Sequence, residues 1–131
     1  MTGPAPTGDE EAQVLPGDGL AVAVPSGQPV TLQDVIWNVP GPDGLAMRFR
    51  FVAPAISRDG GSVDFATASA DMAWLCNNYA LQRVSGIGPA PTQIIISLSD
   101  REVPFGEADP EATQFFEAYR IEGDACIWEA F

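Results

Sequence analysis

The chain contains no lysine and no histidine. Without an imidazole there is no Ser–His–Asp or Cys–His nucleophile and no histidine metal ligand. Without a lysine there is no Schiff base and no P-loop ammonium. Positive charge is scarce altogether: six bases, all arginine, stand against eighteen acids, for a net charge of −12. Phosphate recognition needs clustered Arg or Lys, so the balance argues against nucleic acid and against an anionic membrane surface. No apolar run approaches the roughly 20 residues that carry a helix across a bilayer. No cofactor is expected, and no metal site is assigned.

The acids that are present are unevenly placed. Residues 99–131 hold nine of them and only Arg101 and Arg120, whereas residues 20–98 hold five acids and four Arg. A negative C-terminal third permits a basic protein partner or a cation, and solubility alone also accounts for it. A length of 131 residues and an apolar fraction of 46% suit one domain with a real core.

One stretch has sustained helical periodicity, Val63 to Leu81. Phe65, Met72, Leu75, Cys76 and Tyr79 recur at spacings of three, four and seven and form one apolar stripe. Asp64 sits at the N-cap position, and neither Gly nor Pro interrupts the run from there to Ser85. About 16 helical residues span roughly 24 Å, enough to lie across about five strands.

The remainder reads as strands and turns. Residues 1–19 are rich in Pro, Gly and acid and predict a flexible acidic tail, with residues 20–131 as a single domain. Leu20–Val24 is a short strand candidate, followed by a turn at Pro25–Pro29. Val30–Val39 reads as extended, or as one helical turn at Thr31–Asp34 followed by a strand. Leu15–Val22 and Val39–Met47 echo each other, each suggesting a Gly/Asp turn that feeds a strand.

Leu45–Val52 alternates cleanly: Leu45, Met47, Phe49 and Phe51 face one way, Ala46, Arg48, Arg50 and Val52 the other. Arg48 and Arg50 then stand about 7 Å apart on one face. Together they suggest an anion or carboxylate site, or cross-strand pairing with acids such as Glu117. Thr92–Ser99 and Thr113–Ile121 are further strands. The second carries aromatics on both sides and predicts a cover on each. Glu122–Asp124 is a hairpin turn into a last strand at Ala125–Ala130. Short links favour antiparallel pairing, so the expected class is α+β in two layers, a mainly antiparallel sheet of about five strands with one long helix on one face.

Cys76 lies on the helical stripe and Cys126 in the last apolar run. If that run passes beneath the helix, the two sulfurs can meet, closing a loop of about 50 residues worth roughly 4 kcal/mol. The alternative is two buried free thiols. A bridge implies an oxidising compartment, periplasmic or secreted. Met1 is followed by TGPAPTGDEEAQ, which lacks the basic and apolar regions of a secretory signal. Either the protein stays in the cytoplasm or a signal has been removed.

Candidate functional residues concentrate between the two strands, at Ser99–Glu111. Asp100, Glu107 and Asp109 offer oxygen ligands for Ca²⁺, although their spacing matches no standard loop. Arg101 and Phe105, flanked by Glu107 and Asp109, can anchor a protein partner. Arg101 can equally tie the loop to neighbouring carboxylates. Trp37, Trp74 and Trp128 can line a sugar or peptide face or belong to the core.

The segments IISLSDREVPFG (Ile95–Gly106), DPEATQFFEAYRI (Asp109–Ile121) and ACIWE (Ala125–Glu129), with VPSGQPVTL and MRFRFVAP upstream, resemble a family of small bacterial proteins of unknown function. The resemblance implies a signal peptide in many members and both cysteines retained, hence export and a Cys76–Cys126 bridge. It supplies no activity. The expected function is a non-catalytic exported binding or accessory domain that meets a protein partner through its acidic C-terminal region. A small carboxylate-based hydrolase and a structural subunit of a larger assembly are the alternatives.

Overall fold

A computed structural model describes residues 13–41 and 44–129. Six strands form one sheet in sequence order: β1 (Gln13–Ala21), β2 (Thr31–Gly41), β3 (Gly44–Val52), β4 (Gln93–Ser99), β5 (Gln114–Glu122) and β6 (Ala125–Glu129). Helix α1 (Phe65–Leu75) lies between β3 and β4. All pairings are antiparallel except β3 with β4, which run parallel. A parallel neighbour cannot be reached by a hairpin, and the helical segment is the crossover that reaches it.

The two-layer α+β expectation therefore holds, with six strands in place of about five and one parallel step in place of a purely hairpin-linked order. The additional strand is β1. Gln13–Gly19, assigned above to a tail, belong to this strand, with Gln13–Pro16 paired to β2, while residues 1–12 lie outside the described residues. The composition misled because Pro16-Gly17-Asp18-Gly19 is a bulge inside the strand. Register shifts between Pro16 and Leu20, and Asp18 and Gly19 have positive φ, 55° and 68°. The echoed segment serves differently: its Gly41 pairs with Gly44 across the β2–β3 connection, whose residues 42–43 lie outside the described residues. Thr31–Asp34 is strand and forms no helical turn.

Asp64 caps α1 as its position predicts, its Oδ1 accepting the Thr67 N–H at 2.9 Å. After Leu75 the helix widens. Leu81 N–H reaches back to Cys76 O at 3.0 Å, so Cys76–Ala80 is a π-helical segment. The helical run is thus as long as expected, but only its first eleven residues are α. Ala68, Met72, Leu75, Cys76 and Tyr79 are buried against Met47, Phe49 and Phe51 of β3 and Ile94, Ile96 and Leu98 of β4. Phe65, the first residue of the predicted stripe, is half exposed and meets Phe115 edge-to-face at 5.0 Å. Trp37 and Trp74 pack at the core margin, whereas Trp128 is exposed.

The helical run is tied near its C-terminal end and at its middle. Cys76 and Cys126 form a disulfide, and Asn77 Oδ1 accepts the Cys126 N–H at 3.0 Å. Mid-helix, Asp71, fully buried, accepts from Ser26 N at 3.1 Å, Ser26 Oγ at 2.5 Å and Gln28 Nε2 at 2.7 Å. Among the described residues no helix is long and apolar enough to cross a membrane.

Two outcomes follow from these ties. Reduction increases the intact mass by two hydrogens, and Cys76→Ser with Cys126→Ser lowers the unfolding free energy by roughly 4 kcal/mol in urea titrations; an unchanged mass contradicts the bridge. Asp71→Ala strands the Ser26 and Gln28 donors and costs about 2 kcal/mol in the same titration.

Candidate functional site

The helix covers one face of the sheet, so the other face is left to the β4–β5 connection. Alternation places Arg48 and Arg50 of β3, Ile95 and Ser97 of β4, and Phe116 of β5 on that open face. The register aligns Arg48 with Ile95, Arg50 with Ser97, and Ser97 with Phe116.

The 100–113 loop folds back over this surface and is held at several points. At its base Asp100 N–H donates to Thr113 O at 2.9 Å, and Thr113 N–H to Asp100 Oδ1 at 3.0 Å. Arg58 Nη2 donates to Pro110 O at 2.6 Å. Further in, Gln33 Nε2 and Arg50 Nη2 both donate to Val103 O at 2.9 Å, and Val103 is buried. Pro104–Glu107 then makes a tight turn, Glu107 N–H donating to Pro104 O at 3.1 Å. Gly106 stands at its third position with φ 84°, a conformation that side chains with a Cβ resist. The turn lifts Phe105 out over the sheet, its ring 5.5 Å from the Arg50 guanidinium carbon.

A cleft of about 350 Å³ lies between this turn and the sheet. Arg48, Ile95, Ser97, Phe105, Glu107 and Phe116 are among its lining residues. Phe105 is 41% exposed and Phe116 63%, so two aromatic rings stand open at its rim. Of the cover expected on both sides of β5, the helix supplies the Phe115 side; on the other side Ala118 is buried but Phe116 stands open.

The two arginines have different surroundings. Arg50 is satisfied: its Nε meets Asp34 Oδ1 at 2.7 Å and its Nη2 meets Asp34 Oδ2 at 3.0 Å. Among the described residues Arg48 has no counter-ion, and its Nη1 is buried without a hydrogen-bond partner. Burial pushes its pKa down from the ordinary guanidinium value. Glu117, expected as a cross-strand partner, lies on the helix side instead. There it accepts from Trp128 Nε1 at 2.8 Å and Ser69 Oγ at 3.3 Å.

With this geometry in view, the chain can be compared with known proteins. A family model, described as a family of unknown function (DUF6497), matches residues 5–131. The chain belongs to that family. Neither the curated proteins nor the solved structures contain a match. In this DUF6497 chain the residues read as partner-binding separate into two groups. Phe105 and Glu107 line the cleft. Arg101 and Asp109 stay at the loop base. Arg101 grips Asp100 at 3.1 and 3.2 Å, and Asp109 Oδ1 accepts the Glu111 N–H at 3.0 Å.

Among the described residues no cluster of three or more His, Cys, Asp or Glu is arranged to hold an ion. Arg48 and Phe116 are the site residues that sequence reasoning undervalued. The alternation of β3 and β5 places each on the open face. Whether each would find a partner there was not legible.

The Asp100 side chain is only 3% exposed, and the Arg101 hydrogen bond, aided by the Thr113 amide, holds its carboxyl below the usual range. A depressed folded-state pKa contributes stability above the unfolded value of roughly 4, and that contribution disappears as pH falls through the folded value. Asp100→Asn is therefore less stable than the parent at pH 7, and the gap narrows steadily below about pH 4. Chemical denaturation across pH measures it, and a gap that widens on acidification contradicts the assignment.

Proposed function

We propose that this domain is a non-catalytic, exported binding module that engages a protein partner through the 100–113 loop and its acidic surroundings. The observation that carries the reading is the pair of exposed rings, Phe105 and Phe116, flanking a cleft under a loop pinned by Arg50, Gln33, Arg58 and Asp100. Exposed aromatics on a preorganised scaffold are the commonest anchors of protein interfaces, because little ordering entropy is lost when they dock. Glu102, Glu107 and Glu111 are exposed on the same loop and give the surroundings a negative sign. A partner with a basic surface fits that rim, and the net charge of −12 favours its approach.

Two further observations support the finer points. Among the described residues that line the cleft, only Glu107 carries a carboxylate, whereas acid/base hydrolysis of a glycosidic bond uses two. The Cys76–Cys126 disulfide suits an oxidising compartment, which supports export.

The partner is captured from the native source, identified by mass spectrometry, purified and titrated by calorimetry against the domain. Phe105→Ala and Phe116→Ala each weaken binding by about tenfold or more. Raising salt from roughly 50 to 300 mM weakens the parent complex severalfold. Undiminished affinity in both variants defeats the docking surface, and salt-independent affinity defeats its electrostatic part.

A further inference from the structure

The floor of the cleft has a chemistry that partner docking leaves unused. Arg48 sits mid-strand between Ile36 and Ile95, both buried, beside the small apolar cluster of Ala46, Ile95 and Ala118. A guanidinium is a cation at any physiological pH and has five N–H donors in a fixed fork. Leaving its buried Nη1 among apolar neighbours, with no counter-ion among the described residues, is costly unless an anion completes it. Its neighbour two residues along shows what completion looks like, since Arg50 holds both oxygens of Asp34. Gln93, diagonal to Arg48 on the same face, also has a buried, unpartnered Oε1, yet Arg48 Nη1 makes no bond to it. One neutral acceptor would not neutralise the charge in any case.

We infer that the cleft is a binding site for a small apolar monocarboxylate, its carboxylate held by Arg48 and its hydrocarbon body lying between Ile95, Phe105 and Phe116. Several constraints narrow the ligand to this class. The guanidinium fork matches a carboxylate in geometry. A doubly charged phosphate ester is disfavoured, because among the described residues lining the cleft Arg48 is the one unspent arginine and Glu107 lies beside it in the same cleft. The walls beside Arg48 are aliphatic and aromatic, so a bare inorganic anion would leave them wet. A volume of about 350 Å³, against the 30 Å³ or so that one water takes in the liquid, has room for a ligand of roughly ten heavy atoms. This inference concerns the isolated domain, and it stands or falls independently of the protein partner.

The test is a titration of the ¹⁵N-labelled full chain with sodium octanoate, followed by amide chemical shifts, with octan-1-ol and inorganic phosphate as controls. Octanoate is expected to give saturable shifts confined to β3, β4, β5 and residues 103–107, at least tenfold tighter than octanol. Inorganic phosphate is expected not to saturate. Arg48→Met weakens octanoate binding by about tenfold or more, and Glu107→Gln, which removes a like charge, strengthens it. Octanol matching octanoate, phosphate matching octanoate, shifts on another surface, or undiminished affinity in Arg48→Met each overturns the site. If Arg48→Met does not fold, the octanoate–octanol comparison on the parent chain decides.

Discussion

The parallel pairing of β3 with β4 constrains everything else in this molecule. Two parallel neighbours begin at the same end of the sheet, so the chain leaving β3 must travel the sheet's length before β4 can start. The helical run does that travelling. Its buried stripe rests on Met47, Phe49, Phe51, Ile94, Ile96 and Leu98, the inward residues of those same two strands. Crossover and core are therefore one feature. With one face closed by the helix, the connection from β4 to β5 is what remains to cover the other.

That division gives the two faces opposite characters. The helix face is apolar and holds the disulfide, with Asp71 as a buried polar tie at its margin. The open face has charge in its interior. Asp34, Arg50 and Val103 O form a closed network in which both Arg50 and the loop backbone are satisfied. Arg48 stands one side-chain repeat away with an amine buried and unmatched. Among the described residues the scaffold completes one arginine and leaves the next unpaired, and that contrast is the ground for the carboxylate site proposed above. The surrounding acids work against a highly charged anion there. Selectivity at this site would rest on the apolar walls as much as on the charge.

The helix is secured at its middle and at its last turns by bonds to distant segments. Asp71 draws the 25–28 turn against its first half, and Cys76 with Asn77 binds its last turns to β6. The π-helical segment carries both of the latter residues, and Tyr79 too, which meets the edges of Phe49 and Phe51. A domain of this size with one helix buries limited apolar surface, so such ties restrict the ways the layers can separate. They also hold β6, and through it β5, at the register that places Phe116 on the open face.

Local pattern by itself determined a good deal. The alternation of Leu45–Val52 assigns each residue of β3 to its correct face, because side chains on a strand have a period of two wherever the strand lies. The spacing of Met72, Leu75, Cys76 and Tyr79 marks the buried stripe for the same kind of reason. Asp64 is legible as a cap because capping is a bond between near neighbours. Tertiary structure alone decided the rest. β1 was hidden because a bulge tolerates the Pro, Gly and Asp that read as a tail. The parallel step was hidden because a strand's partner is chosen by the whole core and not by its own sequence. Arg48 and Arg50 are indistinguishable in sequence, and only the shifted register of β2 brings Asp34 to one of them. The unpaired charge follows from that register, a long-range property that no local spacing encodes.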